Sequence, residues 1–284
     1  MLTTASAPSP APALGLSTYA YFWRCSDRVP EPMTVEQMLD DTAAHGGTVF
    51  QICDYAPIDE AGPERLAAIR AHAESLGIVL ELGTRGTEPE HLRRQLRIAT
   101  ALGATLLRSM WTNGEDRPDA EESERRLRQL LPELDAAGVN LALETYEQVP
   151  SADLVALVDA VGHPRVGICL DPANTVANLE LPGDVVARCA RRTLNWHVKD
   201  FDFSRNPGWV GFVYTGTALG QGRLDYDHVR ELVRPAERGI SQIVEFWLPW
   251  ADDVPEADQP ETTARREAEW TRTTMEYLRS KNNV

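Results

Sequence analysis

Eight short apolar runs separated by longer amphipathic stretches constrain this chain more than any other feature: LGLSTY, TVFQIC, IVLEL, ATLLRSM, VNLALE, VGICL, TLNWHV and SQIVEF. The stretches between them, such as PEHLRRQLRIATALG and EESERRLRQLLPELDAAG, carry apolar residues at helical spacing and stop on glycine, which closes a helix in the left-handed conformation. Strands joined through helices lie parallel, and eight such units are the number at which a parallel sheet closes into a (β/α)8 TIM barrel. An open doubly wound sheet is the structural alternative, but no GxGxxG follows the first strand to cradle a pyrophosphate. The expectation is one barrel domain over residues 15–284, after a Pro- and Ala-rich flexible tail over residues 1–14.

Charge and composition exclude several function classes. A net charge of -15 argues against a general nucleic-acid surface, which must neutralise phosphates with an excess of Lys and Arg. No segment approaches the roughly 20 apolar residues that cross a bilayer. Cys25, Cys53, Cys169 and Cys189 are dispersed, form no CxxC, and read as free thiols of a cytoplasmic protein. The opening MLTTASAPSPAPALG lacks the basic stretch and continuous apolar run of a secretory signal.

Four late strands end or nearly end in ionisable groups: Glu144 in LALETYE, Asp171 in GICLDPAN, His197 in LNWHVKD and Glu245 in IVEFW. Each alone has an ordinary reading, as a solvent-facing strand end, the start of a turn, or a hydrogen-bonded core histidine. In a barrel, however, such tips converge on one mouth. Three carboxylates and an imidazole brought together form a sensible divalent-metal shell, whereas without a cation they suffer repulsion and desolvation.

On its ETYE, CLDPAN, WHVKD and VEFW tips, over about residues 15 to 280, the chain resembles the xylose isomerase-like TIM barrel superfamily, especially its sugar phosphate isomerase/epimerase-like branch. The resemblance implies that Glu144, Asp171, His197 and Glu245 bind one divalent ion, Mn2+ first, with Mg2+ or Co2+ as alternatives. It also implies that Glu144 and Glu245 handle protons on opposite faces of a planar enediolate. Two departures point elsewhere. Asn174 stands in CLDPANT where many ketose epimerases carry a histidine, and HVKD, with Lys199, looks like motifs of related sugar-acid, inosose and oxo-sugar lyases. Lys199 is either a surface lysine or a cation for a carboxylate or an enolate oxygen, and Asp200 either orients it or caps the following segment.

The remaining candidates would line a substrate pocket. Tyr19 and Trp111 are expected to bracket a polyol, Gln51 and Glu81 to bind hydroxyls, and Trp247 to wall the mouth. The long connection after Lys199 is expected to supply an aromatic cover including Phe212, with Arg205 contacting an acidic group. For each of them, ordinary packing is the competing explanation. These residues suit a small hydroxylated or oxidised sugar, with neither nucleic acid nor membrane as partner and a homo-oligomer left open. An isomerase or epimerase acting through an enediolate is the first expectation. A lyase or decarboxylase of a 3-oxo sugar or sugar acid is the second, with Lys199 catalytic beside Glu245 and Glu144, and a non-catalytic sugar-binding barrel the third.

Overall fold

A computed structural model describes residues 12–284 of the chain. The expected tail therefore lies largely outside the described residues, but Leu14, assigned to it, is already buried and paired with Gln242. The eight expected strands form β1 (Leu14–Ser17), β2 (Val49–Cys53), β3 (Val79–Gly83), β4 (Leu106–Ser109), β5 (Asn140–Glu144), β6 (Val166–Leu170), β7 (Thr193–Val198) and, after a hairpin, β10 (Ser241–Val244). They close in the order β1-β10-β7-β6-β5-β4-β3-β2, and every pairing is parallel.

The covering helices are α1 (Val35–Ala44), α2 (Ala56–Asp59), α3 (Pro63–Ser75), α4 (Pro89–Leu102), α5 (Ala120–Ala137), α6 (Ser151–Val161), α7 (Pro182–Cys189), α8 (Tyr226–Val233), α9 (Pro235–Arg238) and α10 (Gln259–Asn282). Their ends follow local chemistry. Thr34 and Gln37 form a capping box at α1, while Gly103 and Gly138 close α4 and α5 at φ 72° and 68°. Inward-facing Leu92, Leu96 and Ala99 on α4, and Met275 and Leu278 on α10, pack into the core. Among the described residues, no helix is long and apolar enough to cross a membrane.

The expected long connection is instead an antiparallel hairpin of β8 (Asp200–Arg205) and β9 (Phe212–Thr217). Asp200 anchors its base: Oδ2 accepts from the backbone N–H groups of Gly220 and Gly222, and Oδ1 from those of Phe201 and Leu224. Asp200 thus caps the next segment, one of its two expected roles. Gly222 has to be glycine, because a Cβ there would lie 2.4 Å from both Asp200 Oδ1 and Phe201 O.

Candidate metal centre

Glu144 ends β5, Asp171 follows β6, His197 lies on β7 and Glu245 follows β10, so all four side chains meet at one end of the barrel. Each offers a ligand atom within 4.8 Å of the others, and all four are buried. Local structure aims them. Asp171 Oδ1 accepts from the backbone N–H groups of Ala173 and Asn174, an Asx turn at the DPAN bend that leaves Oδ2 free to turn inward. His197 Nε2 lies 2.8 Å from Gln51 Oε1, while Nδ1 has no hydrogen-bond partner and sits 3.4 Å from Oε1 of both Glu144 and Glu245.

That unpartnered imidazole nitrogen tests whether these residues fit a metal. A buried donor or acceptor without a partner costs about 1–3 kcal/mol. Glu144 Oε2 is likewise without a hydrogen bond, since Arg108 Nε, 2.6 Å away, is out of line for one. Carboxylate oxygens plus one imidazole are the donor set of a hard or borderline divalent ion, which would occupy both orphaned atoms. The four residues could therefore hold such an ion.

Two buried cations stand beside the candidate ligands. Lys199 Nζ is 2.7 Å from Asp171 Oδ2, 3.1 Å from Glu245 Oε2 and 4.7 Å from the Trp247 ring centre. Burial disfavours its charge, but Asp171, Glu245 and Glu144 outweigh that and raise its pKa. Arg108, 2% exposed, pairs with Glu144 and donates to Thr84 O at 3.0 Å. Burial raises the Glu144 pKa, yet Arg108 and His197 hold it well below the usual carboxylate range. Glu245 is lowered in the same way, His197 and Lys199 overriding its burial.

A cavity of about 100 Å³ opens onto this cluster, bounded by Tyr19, Arg85, Arg108, Asn174, Lys199 and Trp247 among others. Four of the expected pocket residues, Tyr19, Asn174, Lys199 and Trp247, thus line this cavity. Asn174 Nδ2 donates to Glu144 Oε1 at 2.8 Å and its Oδ1 accepts from Lys199 at 3.3 Å.

Five expected pocket residues lie elsewhere. β2 and β3 run two residues beyond Gln51 and Glu81, which places both side chains one layer down, buried inside the barrel rather than at its mouth. Trp111, 7% exposed, turns away to donate to Pro118 O and lines an outer groove with Val149 and Leu157. Arg205 and Phe212 pair at the turn end of the hairpin, roughly 17 Å along the strand from Asp200 at the usual rise per residue. There the Arg205 guanidinium packs 4.3 Å from the Phe212 ring centre, in solvent.

Arg108, Arg85 and Asp54 escaped the sequence reading. Arg85 Nε donates to Asp54 Oδ2 at 3.1 Å and its NH2 group to Tyr19 Oη at 2.6 Å, giving the β1–β3 side of the mouth a polar rim. A signal for Arg108 was present, an arginine within the apolar run ATLLRSM.

Comparison with known proteins agrees with this architecture. A profile described as Xylose isomerase-like TIM barrel matches residues 39–274. A 3-oxo-isoapionate decarboxylase of Pectobacterium atrosepticum is 48% identical over 270 residues, covering 95% of this chain and 96% of that protein. Among solved structures, D-psicose 3-epimerase from Clostridium cellulolyticum H10 with D-tagatose superposes with a TM-score of 0.69 at 14% identity, covering 94% of this chain and 99% of that one. A xylose isomerase-like TIM barrel protein from Mycobacterium smegmatis in complex with magnesium gives 0.64 at 17% identity, covering 95% and 98%. At such identities the structural likeness speaks for the fold alone.

Proposed function

We propose that this chain, which belongs to the xylose isomerase-like TIM barrel family, is a divalent-metal-dependent decarboxylase of a small 3-oxo sugar acid. The observation that carries this reading is Lys199, a buried ammonium placed among the candidate metal ligands and lining the cavity. A relative with 48% identity along nearly the whole chain, named for decarboxylation of a 3-oxo acid, supports it. The order of the sequence expectations is thereby reversed, with the lyase ahead of the isomerase or epimerase.

The electrostatics suit an anionic substrate. Three ligand carboxylates against Lys199 and Arg108 leave one excess negative charge, which a divalent ion converts to one excess positive charge. A carboxylate is drawn into such a pocket, whereas a neutral ketose has no charge to offer it.

In a 3-oxo acid the bond from C1 to C2 breaks, carbon dioxide leaves, and the bonding pair enters an enolate spread over C2 and the ketone oxygen. A proton must then close C2. Glu144, Asp171, His197 and Glu245 would hold a divalent ion, which would supply Lewis acidity for the charge gathering on the ketone oxygen. Lys199 holds the anionic end of the substrate, with Trp247 walling that side of the cavity. Glu245, on a rigid strand end and facing the same cavity, is the group positioned to relay a proton from solvent to C2, with Glu144 as its partner.

The test incubates Mn2+-supplemented protein with small 3-oxo sugar acids, including 3-oxo-isoapionate, and with free ketoses, reading carbon dioxide release and deuterium uptake. Carbon dioxide from the acids, with the ketoses inert, is expected. Epimerisation of ketoses with solvent exchange and no carbon dioxide would establish the isomerase reading in its place.

A further inference from the structure

Gln51 and Glu81 leave the substrate pocket only to become part of a second arrangement beneath it. Across the barrel interior, Glu81 Oε2 accepts from Gln51 Nε2 at 3.0 Å and from Asn195 Nδ2 at 3.1 Å, while Glu81 Oε1 accepts from Ser241 Oγ at 2.5 Å. Asn195 Oδ1 takes a second hydrogen bond from Gln51 Nε2 at 3.0 Å. Gln51 Oε1, the other end of that amide, faces His197 Nε2 at 2.8 Å. These side chains are all buried, so the amides take their direction from one another and from Glu81 and His197.

We infer that Glu81 is a positioning residue: through the Gln51 amide it dictates which nitrogen of His197 carries the proton and which faces the other three candidate ligands. An amide can turn over and exchange its oxygen for its nitrogen, and only the hydrogen-bond network decides between the two orientations. Glu81 Oε2 accepts from two amide groups at once, so both Gln51 and Asn195 must present nitrogen to it. Gln51 Oε1 is thereby committed to His197, and as an acceptor it requires a proton on Nε2. The lone pair of the neutral ring is then on Nδ1, the atom lying between Glu144 and Glu245 without a partner.

The orientation holds whichever protonation state Glu81 adopts. Burial raises its pKa against the hydrogen bonds of Ser241 and Gln51, but a proton on Oε1 would be given to Ser241 Oγ and leave Oε2 accepting as before. Glu81 thus acts by the direction of its acceptor, and an amide of the same shape can do the same. Groups that orient metal-binding histidines commonly change metal affinity by 10- to 100-fold when removed. The inference rests on the metal reading of the cluster but is independent of the reaction catalysed there.

The experiment compares full-length wild type, Glu81→Leu and Glu81→Gln by zinc titration and by 15N NMR of the imidazoles, with His197 signals identified by their loss in His197→Asn. In wild type, Nε2 is expected to keep a slowly exchanging proton while Nδ1 shifts on adding zinc. Glu81→Leu should lose about tenfold or more in zinc affinity. Glu81→Gln, with its carbonyl oxygen in the Oε2 position, should stay within about threefold of wild type. Unchanged affinity in Glu81→Leu, or an equal loss in Glu81→Gln, overturns the inference, the first by reducing Glu81 to packing and the second by making its charge the active feature. Should Glu81→Leu fail to fold, the wild-type spectrum still decides, because an unprotonated Nε2 contradicts the relay outright. Wild-type protein that takes up no zinc yet keeps the Nε2 proton refutes the metal reading and supports the relay.

Discussion

Lys199 Nζ lies 2.7 Å from Asp171 Oδ2, so one of the four groups able to hold a metal ion is also the partner of a buried ammonium. The pair is almost entirely removed from solvent, at 4% and 0% side-chain exposure. Neither charge could stay buried alone without a large penalty, which ties metal affinity and protein stability to the same contact.

Replacing Lys199 by Met should act in opposite directions on two observables. Metal-free protein loses the partner of Asp171 and Glu245 and melts lower, since breaking a buried pair costs about 3–5 kcal/mol. The unpaired carboxylates then attract a divalent ion more strongly, and the rise in melting temperature on adding Mn2+ should exceed that of wild type. Decarboxylation should nevertheless fall by roughly 10² or more, with the cation for the substrate gone. Calorimetric melts with and without Mn2+, beside a carbon dioxide assay, check all three; unaltered turnover would remove Lys199 from the mechanism.

Metal ligation makes its own prediction. Asp171→Asn removes a charged donor and His197→Ala a whole one, and each should weaken Mn2+ binding by at least tenfold in titration calorimetry. A chelator should lower the wild-type melting temperature, and restored Mn2+ should return it. The assignment would not survive two folded variants binding Mn2+ as tightly as wild type.

Why the converging strand tips were legible and their surroundings were not follows from what periodicity encodes. Short apolar runs between helical stretches identify strands, and the eight runs coincide with the eight barrel strands. The four candidate ligands sit at or beside the last residue of an apolar run, where composition itself marks the tip. Gln51 and Glu81 share the inward face of their strands with mouth residues, and alternation specifies a face without specifying depth. Depth depends on where β2 and β3 stop pairing, which is settled by neighbouring strands distant in sequence. The hairpin carried a readable signal, since the alternating FDFS and the β-branched and aromatic FVYT flank an Asn-Pro-Gly turn, but its length resembled a loop. Trp111 stands two residues past the end of β4, in a bend where strand periodicity no longer sets its direction.

Gly222→Ala tests the anchor of that hairpin. The new Cβ would meet Asp200 Oδ1, which accepts from the backbone N–H groups of Phe201 and Leu224, and Phe201 O, which accepts from that of Arg223, so neither can yield without breaking these hydrogen bonds. A cost of about 1–3 kcal/mol is expected for such overpacking, seen as a melting temperature several degrees lower. An unchanged melt would show that Asp200 is not a rigid cap.

Acid sensitivity should appear at the start of α5. Hydrogen bonds from Arg125 and Arg126 lower the Glu122 pKa from 4.5 to about 2. A carboxylate with a depressed folded-state pKa contributes stability that is complete above its unfolded value and is lost as pH falls through the folded one. Wild type should therefore melt slightly above Glu122→Gln at pH 7, on the order of one degree for an exposed pair, with the gap closing between about pH 4.5 and pH 2. A gap that widens on acidification would contradict the sign.

Glu245→Gln separates binding from proton transfer. Glu245 touches Ser17 Oγ at 3.1 Å and Lys199 Nζ at 3.1 Å, and glutamine keeps the size and one oxygen for such contacts while losing the ability to exchange a proton. If Glu245 manages the proton at C2, loss of carbon dioxide can proceed while closure of the enolate slows, and turnover should drop by roughly 10². Deuterium at C2 of the product should also lose its facial preference, because solvent would reach the planar enolate from either side. The measurement is product stereochemistry in deuterium oxide, with metal occupancy matched to wild type. A variant retaining both rate and facial selectivity would shift the proton to Glu144, whose carboxylate accepts from Asn174 on the opposite side of the cluster.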